Sequence, residues 1–330
     1  TYYSIAVKSY NTENTYSELS NAVSTTTLQE TFSYTYEVGP GKTYATPGDV
    51  PWESVQPGSL ILIYYRATPY VDKWIIPEGG SAAERIVVRG VPDASGNLPI
   101  ITGENAATRT ALQFTNESRG LIKVGTSNKP NASCGSYIEI SSLHLKSAHP
   151  DYTFTGNYPA TTRNYETNAA AVYIECGKNI IIKNNIIEDN GNGIFTGVFN
   201  GETKNILISG NHIYNNGIAG SAYSHNVYTA AIGITFEYNL FGPLRTDSAG
   251  NNIKDRSIGT TIRYNWIEGG SRQIDLVDQY GLDIATLNNM SDYKTSVVYG
   301  NVLVEPDGAG NSQIVHYGGD NGDDTYYRKG

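Results

Sequence analysis

Ile180-x-Ile182-x-x-Asn185-x-Ile187 is followed 26 residues later by Ile206-x-Ile208-x-x-Asn211-x-Ile213. The frame returns as Ile234-x-Phe236-x-x-Asn239-x-Phe241 and, with Thr first, as Thr260-x-Ile262-x-x-Asn265-x-Ile267. A weaker copy is Ser296-x-Val298-x-x-Asn301-x-Leu303, and an earlier one, Ile138-x-Ile140-x-x-Leu143-x-Leu145, has Leu in the Asn slot. Successive Asn residues are 26, 28, 26 and 36 positions apart. Inside each copy the apolar residues alternate, the period of a strand and not of a helix. Gly and Asn bound the copies and supply bends. One such unit cannot bury its apolar face, but stacked units can. About 26 residues fits one turn of a parallel β-helix with three short strands and three bends. A leucine-rich repeat needs a Leu-dense frame, which this chain lacks.

In a solenoid, equivalent residues stack at ~4.7–4.9 Å. Asn185, Asn211, Asn239, Asn265 and Asn301 are therefore expected to form an internal ladder at one bend, their amides satisfying the bend backbone and one another. The cysteines test this register. Cys134 precedes Gly135-Ser136-Tyr137-Ile138, and Cys176 precedes Gly177-Lys178-Asn179-Ile180. They hold one repeat position on consecutive coils, and a loop over about residues 148–168 takes up the excess length. A Cα separation near ~5 Å is expected, within reach of a disulfide. Leu60-Ile61-Leu62-Ile63, Ile86-Val87-Val88 and Leu121-Ile122-Lys123-Val124 read as strands of the first coils.

Residues 1–37 are Ser-, Thr- and Tyr-rich without the repeat, and Val38-Gly39-Pro40-Gly41 marks the change in composition. The chain divides into an N-terminal arm or cap, residues 1–37, and an all-β solenoid, residues 38–330. No C-terminal cap is visible before Gly330. The last coil is expected to present an open edge, covered by a continuing chain or another subunit.

Composition narrows the function. The 330 residues hold 23 Lys plus Arg against 32 Asp plus Glu, a net charge of -9. That sign disfavours general nucleic-acid binding. No apolar run reaches the ~18 residues of a membrane span. Charged residues are 17% and Gly 35 of the total, which is not the make-up of a helical bundle. Two cysteines do not make a thiolate metal site. Sequons stand at Asn116, Asn131 and Asn289.

A further strand follows each Asn repeat. Aligned on the inward residues Ile194, Val227, Ile253, Ile274 and Ile314, the next residues, Phe195, Tyr228, Lys254, Asp275 and Val315, form an outward column. The preceding residues, Gly193, Asn226, Asn252, Gln273 and Gln313, are read as an outward amide ladder beside it. His225, Arg256 and Arg272 lie within a few positions, making a locally basic face on an acidic chain. Such a face suits a polyanion.

For cleavage of a uronate glycan by β-elimination, Arg256 and Arg272 supply forked donors for the carboxylate. Lys254 is the candidate base, oriented by Asp275, and Tyr228 the acid or the base itself. His225 is a further proton-transfer group. Asn226, Asn252, Gln273 and His316 are candidate substrate-binding residues. Hydrolysis instead needs two carboxyl groups, for which Asp275 and Asp278 are the available pair, since parity turns Asp255 inward. Tyr152, Phe154 and Tyr158 in the long loop are candidate sugar platforms, and Asp320, Asp323 and Asp324 candidate Ca²⁺ ligands. No other cofactor is indicated. Each reading has a structural counterpart: a cross-strand salt bridge for Lys254–Asp275, a loop packing on itself, a solvated acidic turn.

Over roughly residues 38–330 the chain resembles the right-handed parallel β-helix proteins of the pectate lyase-like superfamily. The resemblance rests on Val38-Gly39-Pro40-Gly41, Pro57-Gly58-Ser59-Leu60-Ile61-Leu62-Ile63, the Asn repeats and Gly250-Asn251-Asn252-Ile253-Lys254-Asp255-Arg256, with Ser271-Arg272-Gln273-Ile274-Asp275-Leu276 after it. It is distantly similar to the alginate lyase and chondroitinase B group, in which a Lys base on one coil and an Arg on the next are catalytic. Lys254 matches that Lys by context; Arg272 is on the next coil, where Asp275 holds the stacked position. The Asp-rich calcium site of pectate lyases has no recognisable counterpart. The resemblance implies a secreted or surface lyase acting on an acidic polysaccharide. A second reading is a non-enzymatic subunit of an extracellular fibre, self-associating through residues 1–37 or the end coils.

Overall fold

The computed structural model describes residues 2–5, 23–26, 30–111, 113–127, 134–157, 159–279, 281–307, 311, 313–320 and 322–326. The chain divides into two units, Thr1–Phe32 and Ser33–Gly330. In the first, Tyr2–Ile5 pairs antiparallel with Val23–Thr26. The rest of the expected arm before residue 30 lies outside the described residues, as do Asn131 and Tyr158.

The second unit is a right-handed parallel β-helix. Among the described residues its three sheets hold 10, 7 and 11 strands. From Gly177 onward each coil gives one strand to sheet I, one to sheet II and one to sheet III, beginning with Gly177–Lys183, Ile186–Glu188 and Asn192–Thr196. Residues 34–37, grouped by composition with the arm, instead pair in parallel with Ser59–Tyr64 at the start of sheet I. No helix among the described residues is long and apolar enough to cross a membrane.

The alternation in the repeat becomes three inward stacks. In sheet I, Ile140, Ile182, Ile208, Phe236 and Ile262 pair in series and are 0% exposed. In sheet II the series is Ile101, Leu145, Ile187, Ile213, Phe241 and Ile267. Sheet III contributes Ile122, Val172, Ile194, Val227, Ile253 and Ile274. Each such side chain contributes roughly 1.5–3 kcal/mol by leaving water.

The bend between sheets I and II turns on a left-handed residue just before the ladder position: Asn184, Tyr238 and Tyr264 at φ 55, 55 and 56°, Gly210 and Gly300 at 66°. A non-glycine residue there costs roughly 1–2 kcal/mol, which the ladder offsets. Asn185 N and Nδ2 both donate to Asn211 Oδ1 at 3.0 Å, and Asn185 Nδ2 also reaches Ile140 O. The pattern repeats through Asn239 and Asn265 to Asn301. It starts where Leu143 N donates to Asn185 Oδ1 at 3.0 Å, so Leu fills the slot without breaking the stack.

Cys134 and Cys176 form a disulfide with Cα atoms 5.0 Å apart, on strands where Gly135 pairs with Gly177. The inserted loop folds into a short antiparallel pair, Thr153–Thr155 with Thr162–Asn164, at one end of sheet III. Phe154 is fully buried against Tyr165, ring centroids 4.8 Å apart, so it does not serve as a sugar platform. Tyr152 donates to Asp189 Oδ2 at 3.0 Å and packs on the core. The loop thus packs on its own coils, because its aromatic residues find more apolar surface there than in water.

Candidate functional site

Sheet III holds the site because every second side chain of its strands faces outward. Its outer column runs Tyr173, Phe195, Tyr228, Lys254, Asp275, His316, each in register with the next. Tyr228, Lys254 and Asp275 therefore stack on consecutive coils, as the repeat alignment predicts. The last coil is displaced by one residue from that alignment: Val315, not Ile314, stacks on Ile274, and His316 on Asp275. Ile314 and Val315 are both apolar, so alternation cannot choose between them; the backbone does, with Ile314 O accepting from Gln273 N and Ile274 N.

A larger correction concerns Asn226, Asn252 and Gln273. All are 0% exposed and turn into the solenoid. Asn190, Asn216, Asn226 and Asn252 make a second interior ladder, at the bend leading into sheet III. Asn190 Nδ2 donates to Asn216 Oδ1 at 2.9 Å, Asn216 Nδ2 to Asn226 Oδ1 at 3.0 Å and Asn226 Nδ2 to Asn252 Oδ1 at 2.5 Å. Gln273 Nε2 donates to Gly269 O at 3.1 Å. The residue before a strand belongs to the bend, where alternation no longer fixes direction. These amides hold backbone and are not placed to touch a ligand.

Tyr228, Lys254 and Asp275 of this column floor a cleft of about 420 Å³, lined also by Tyr223, His225, Asn251, Arg256, Arg272 and Asp320. A second hollow of about 400 Å³ adjoins it on the N-terminal side, sharing Tyr223 and Tyr228 and including Phe195. The larger hollow of about 590 Å³ lies over the bends around Arg245 and Gly269 and contains none of the column. The chemistry is concentrated in the smaller cleft.

There Lys254 Nζ donates to Asp275 Oδ2 at 2.7 Å and also to Asp320 Oδ2. Arg256 spreads its donors over Tyr228 Oη at 3.0 Å, Asp320 Oδ1 at 2.7 Å and Asp278 O at 2.7 Å. Burial alone would lower the Arg256 pKa, but Tyr228 and Asp320 more than offset it. Asp275 is fully buried and accepts from Lys254 and Asn251 on one oxygen, with His316 Nδ1 2.7 Å from the other. Arg272 lies 3.7 Å from Asp275 and binds Gln313 Oε1 at 3.0 and 2.8 Å. All six candidate catalytic side chains thus meet in one cleft.

His225 is buried beside them. Its Nδ1 accepts from Asn251 N at 2.9 Å, which places its proton on Nε2. Burial pushes its pKa down to about 3, with Lys254 adding to the effect. The ring is a neutral donor near neutral pH, not a base. Lys254 differs from the sequence expectation too: it bridges two carboxylates. The face is not locally basic, since Lys254, Arg256 and Arg272 are matched by Asp275, Asp278 and Asp320.

Asp255 is inward, as parity requires, accepting from Thr229 Oγ1 at 2.8 Å and Thr260 Oγ1 at 2.6 Å. Asp278 is fully buried and accepts Asp320 N at 2.7 Å, so the pair Asp275–Asp278 does not flank the cleft. Among the described residues no three His, Cys, Asp or Glu side chains converge as a metal set. Asp320 turns to Lys254 and Arg256 while Asp323 accepts from Thr325 N at 3.0 Å. Asn251 and the cleft role of Asp320 escape the sequence reading. Asn251 shows no repeat signal apart from its neighbour Asn252, and Asp320 arrives only by a fold-back after the last strand.

No family model matches the chain, and no curated protein does. Solved structures with similar architecture include pectate lyase Pel9A, with 11% identity, TM-score 0.39, and 87% of this chain and 82% of that one covered. A GH136 lacto-N-biosidase from Eubacterium ramulus gives 11% identity and TM-score 0.42, over 86% of this chain and 58% of its own. The mannuronan C-5 epimerase AlgE4 A-module of Azotobacter vinelandii gives 10% and 0.28, over 87% and 88%. At these values the likeness carries no weight for activity, and the β-helix assignment rests on the strand register above.

Proposed function

We propose that this chain is a secreted or surface polysaccharide-active β-helix protein whose sheet III cleft cleaves an acidic, uronate-containing glycan by β-elimination. The observation that carries the reading is the Tyr228–Arg256 pair beside Lys254, in register on adjacent coils and open to the cleft. Tyr228 Oη accepts from Arg256, so its own proton is free for the cleft. In the step proposed, the C5 proton passes to a lone pair of Tyr228 Oη, its electron pair forms the C4=C5 bond, the C4–O bond breaks and the leaving oxygen takes the proton that Tyr228 carried, so the phenol is neutral before and after. The cations neutralise the C6 carboxylate and the neutral His225 N–H donates to the sugar. Asp275 holds Lys254 in place. The disulfide supports an oxidising compartment.

The test is ultraviolet absorbance of the unsaturated uronate product on alginate, pectate, hyaluronan and chondroitin, for wild type, Lys254→Ala and Tyr228→Phe. Product lost in both variants supports the reading; silence of the wild type on all four overturns it. Hydrolysis keeps one argument: Asp275 and Asp320 both bond to Lys254 Nζ, too close for the ~6.5–9.5 Å of an inverting pair. A reducing-end assay with retained anomeric configuration identifies that case. The fibre reading requires assembly that grows with protein concentration, readable by light scattering.

A further inference from the structure

Asp320 is not part of the repeat. It follows the last strand of sheet III, Val315–Tyr317, and is reached through Gly318, at φ 152°, and Gly319. Gly322, at φ 82°, lies just beyond. The turn brings its carboxylate back over the column. One oxygen takes Lys254 Nζ and the other Arg256 Nη2 at 2.7 Å. This is how a free carboxylate is gripped: one oxygen to each of two cations. The Asp320 side chain is 29% exposed, while Lys254 and Arg256 are 10% exposed beneath it. It sits at the mouth, between the cations and solvent.

Charge gives an independent argument. With Asp320 in place the cleft has matched charges, Lys254, Arg256 and Arg272 against Asp275, Asp278 and Asp320. Asp275, on the strand Ile274–Leu276, and Asp278, two residues beyond it, are both fully buried. Asp320 alone of the three is on a glycine-flanked turn at the surface. Its removal would leave one uncompensated positive charge at the grip, and an anion of the right reach would restore the balance.

We propose that Lys254 and Arg256 form a carboxylate seat, that Asp320 is its resident occupant, and that the carboxylate of a uronate sugar binds by displacing it. The inference rests on the acidic-glycan reading and adds to it an internal competitor. Burial would raise the Asp320 pKa, but the hydrogen bonds and charges of Lys254 and Arg256 hold it below the ordinary carboxylate value. The competitor is therefore charged near neutral pH. A tethered ligand competes at an effective concentration of order mM, so its loss is expected to tighten uronate binding ~10-fold or more.

The experiment is calorimetric titration of galacturonate and glucuronate, with galactose as the uncharged control, into wild type and Asp320→Asn. Asparagine keeps the shape and the backbone N–H to Asp278 Oδ1. The expected result is at least ~10-fold tighter uronate binding by the variant and no change with galactose. Unchanged or weaker uronate binding overturns the seat and makes Asp320 a brace or a direct binding group. Hydrogen exchange on the wild type decides the matter if the variant does not fold. Saturating galacturonate must speed exchange at residues 318–320, and slowing or no change overturns the proposal. The two readings fail separately. Tighter binding without unsaturated product sinks elimination and keeps the seat; product without tighter binding does the reverse.

Discussion

At the bend between sheets I and II, coil after coil from Asn185 to Asn301 offers the same amide; on the outer face of sheet III, from Phe195 to His316, no two neighbouring coils offer the same side chain. Both are stacks of side chains in parallel register. In the first, each amide meets the needs of the next, and identity is the means of doing so. In the second, phenol, ammonium, carboxylate and imidazole follow in sequence, and the carboxylate of Asp275 finds Lys254 on one side and His316 on the other only because its neighbours differ. Repetition marks what holds the solenoid together. Its loss on a stack that stays in register marks where the chain does something else.

The comparison breaks if the two stacks respond alike to substitution. Tyr228→Phe is expected to lower kcat/KM ~10³-fold, about 4 kcal/mol in the barrier, while thermal unfolding stays within ~1 kcal/mol of wild type. A large loss of stability instead would put the column with the architecture. On the architectural side, Cys176→Ser opens a link spanning 42 residues, worth about 4 kcal/mol in the chain-entropy account, read from urea unfolding with and without reductant. Asn211→Ala strands the backbone N–H of Asn185 and one N–H of its side-chain amide, while Asn239 Oδ1 keeps the backbone N–H of residue 211. It should cost roughly 2–4 kcal/mol without changing turnover of the folded fraction. A turnover defect would blur the distinction.

The smallest effect sharpens the boundary between the two, because His225 is buried like the ladder yet lines the cleft. Its folded pKa is about 3, below the unfolded ~6.5. The unfolded chain binds the proton first as pH falls. Its stabilisation is therefore complete above ~6.5 and is lost between there and about 3, amounting to ~2 kcal/mol by pH 5. Melting temperature against pH should slope downward in that window for wild type and flatten for His225→Gln. Equal slopes would mean the ring is not held neutral.

Most of the architecture could be read because stacking makes sequence periodic. The Asn slot, the inward Ile series and the Cys134–Cys176 register are all statements about equal positions on successive coils. Tyr228, Lys254 and Asp275 were readable for the same reason. What the sequence hid lies where that equality lapses. Asn226, Asn252 and Gln273 stand in a bend, so counting by twos sends them outward while the backbone turns them in. His316 follows two adjacent apolar residues, and the count alone accepts either. Asp320 lies past the last strand, where no repeat predicts its return to Lys254.

The first ladder also has a direction. Each backbone N–H points to the amide oxygen of the following coil, so from Asn185 to Asn301 every joint at this bend is chemically the same joint. A unit of the 26 residues separating Asn185 from Asn211, copied between them, would meet the donor and the acceptor it needs at its two faces. At this bend such a molecule lengthens by duplication of its gene segment without redesign of the seam. The distance from the disulfide to the cleft then becomes a quantity that an engineer, or natural selection, sets by counting coils.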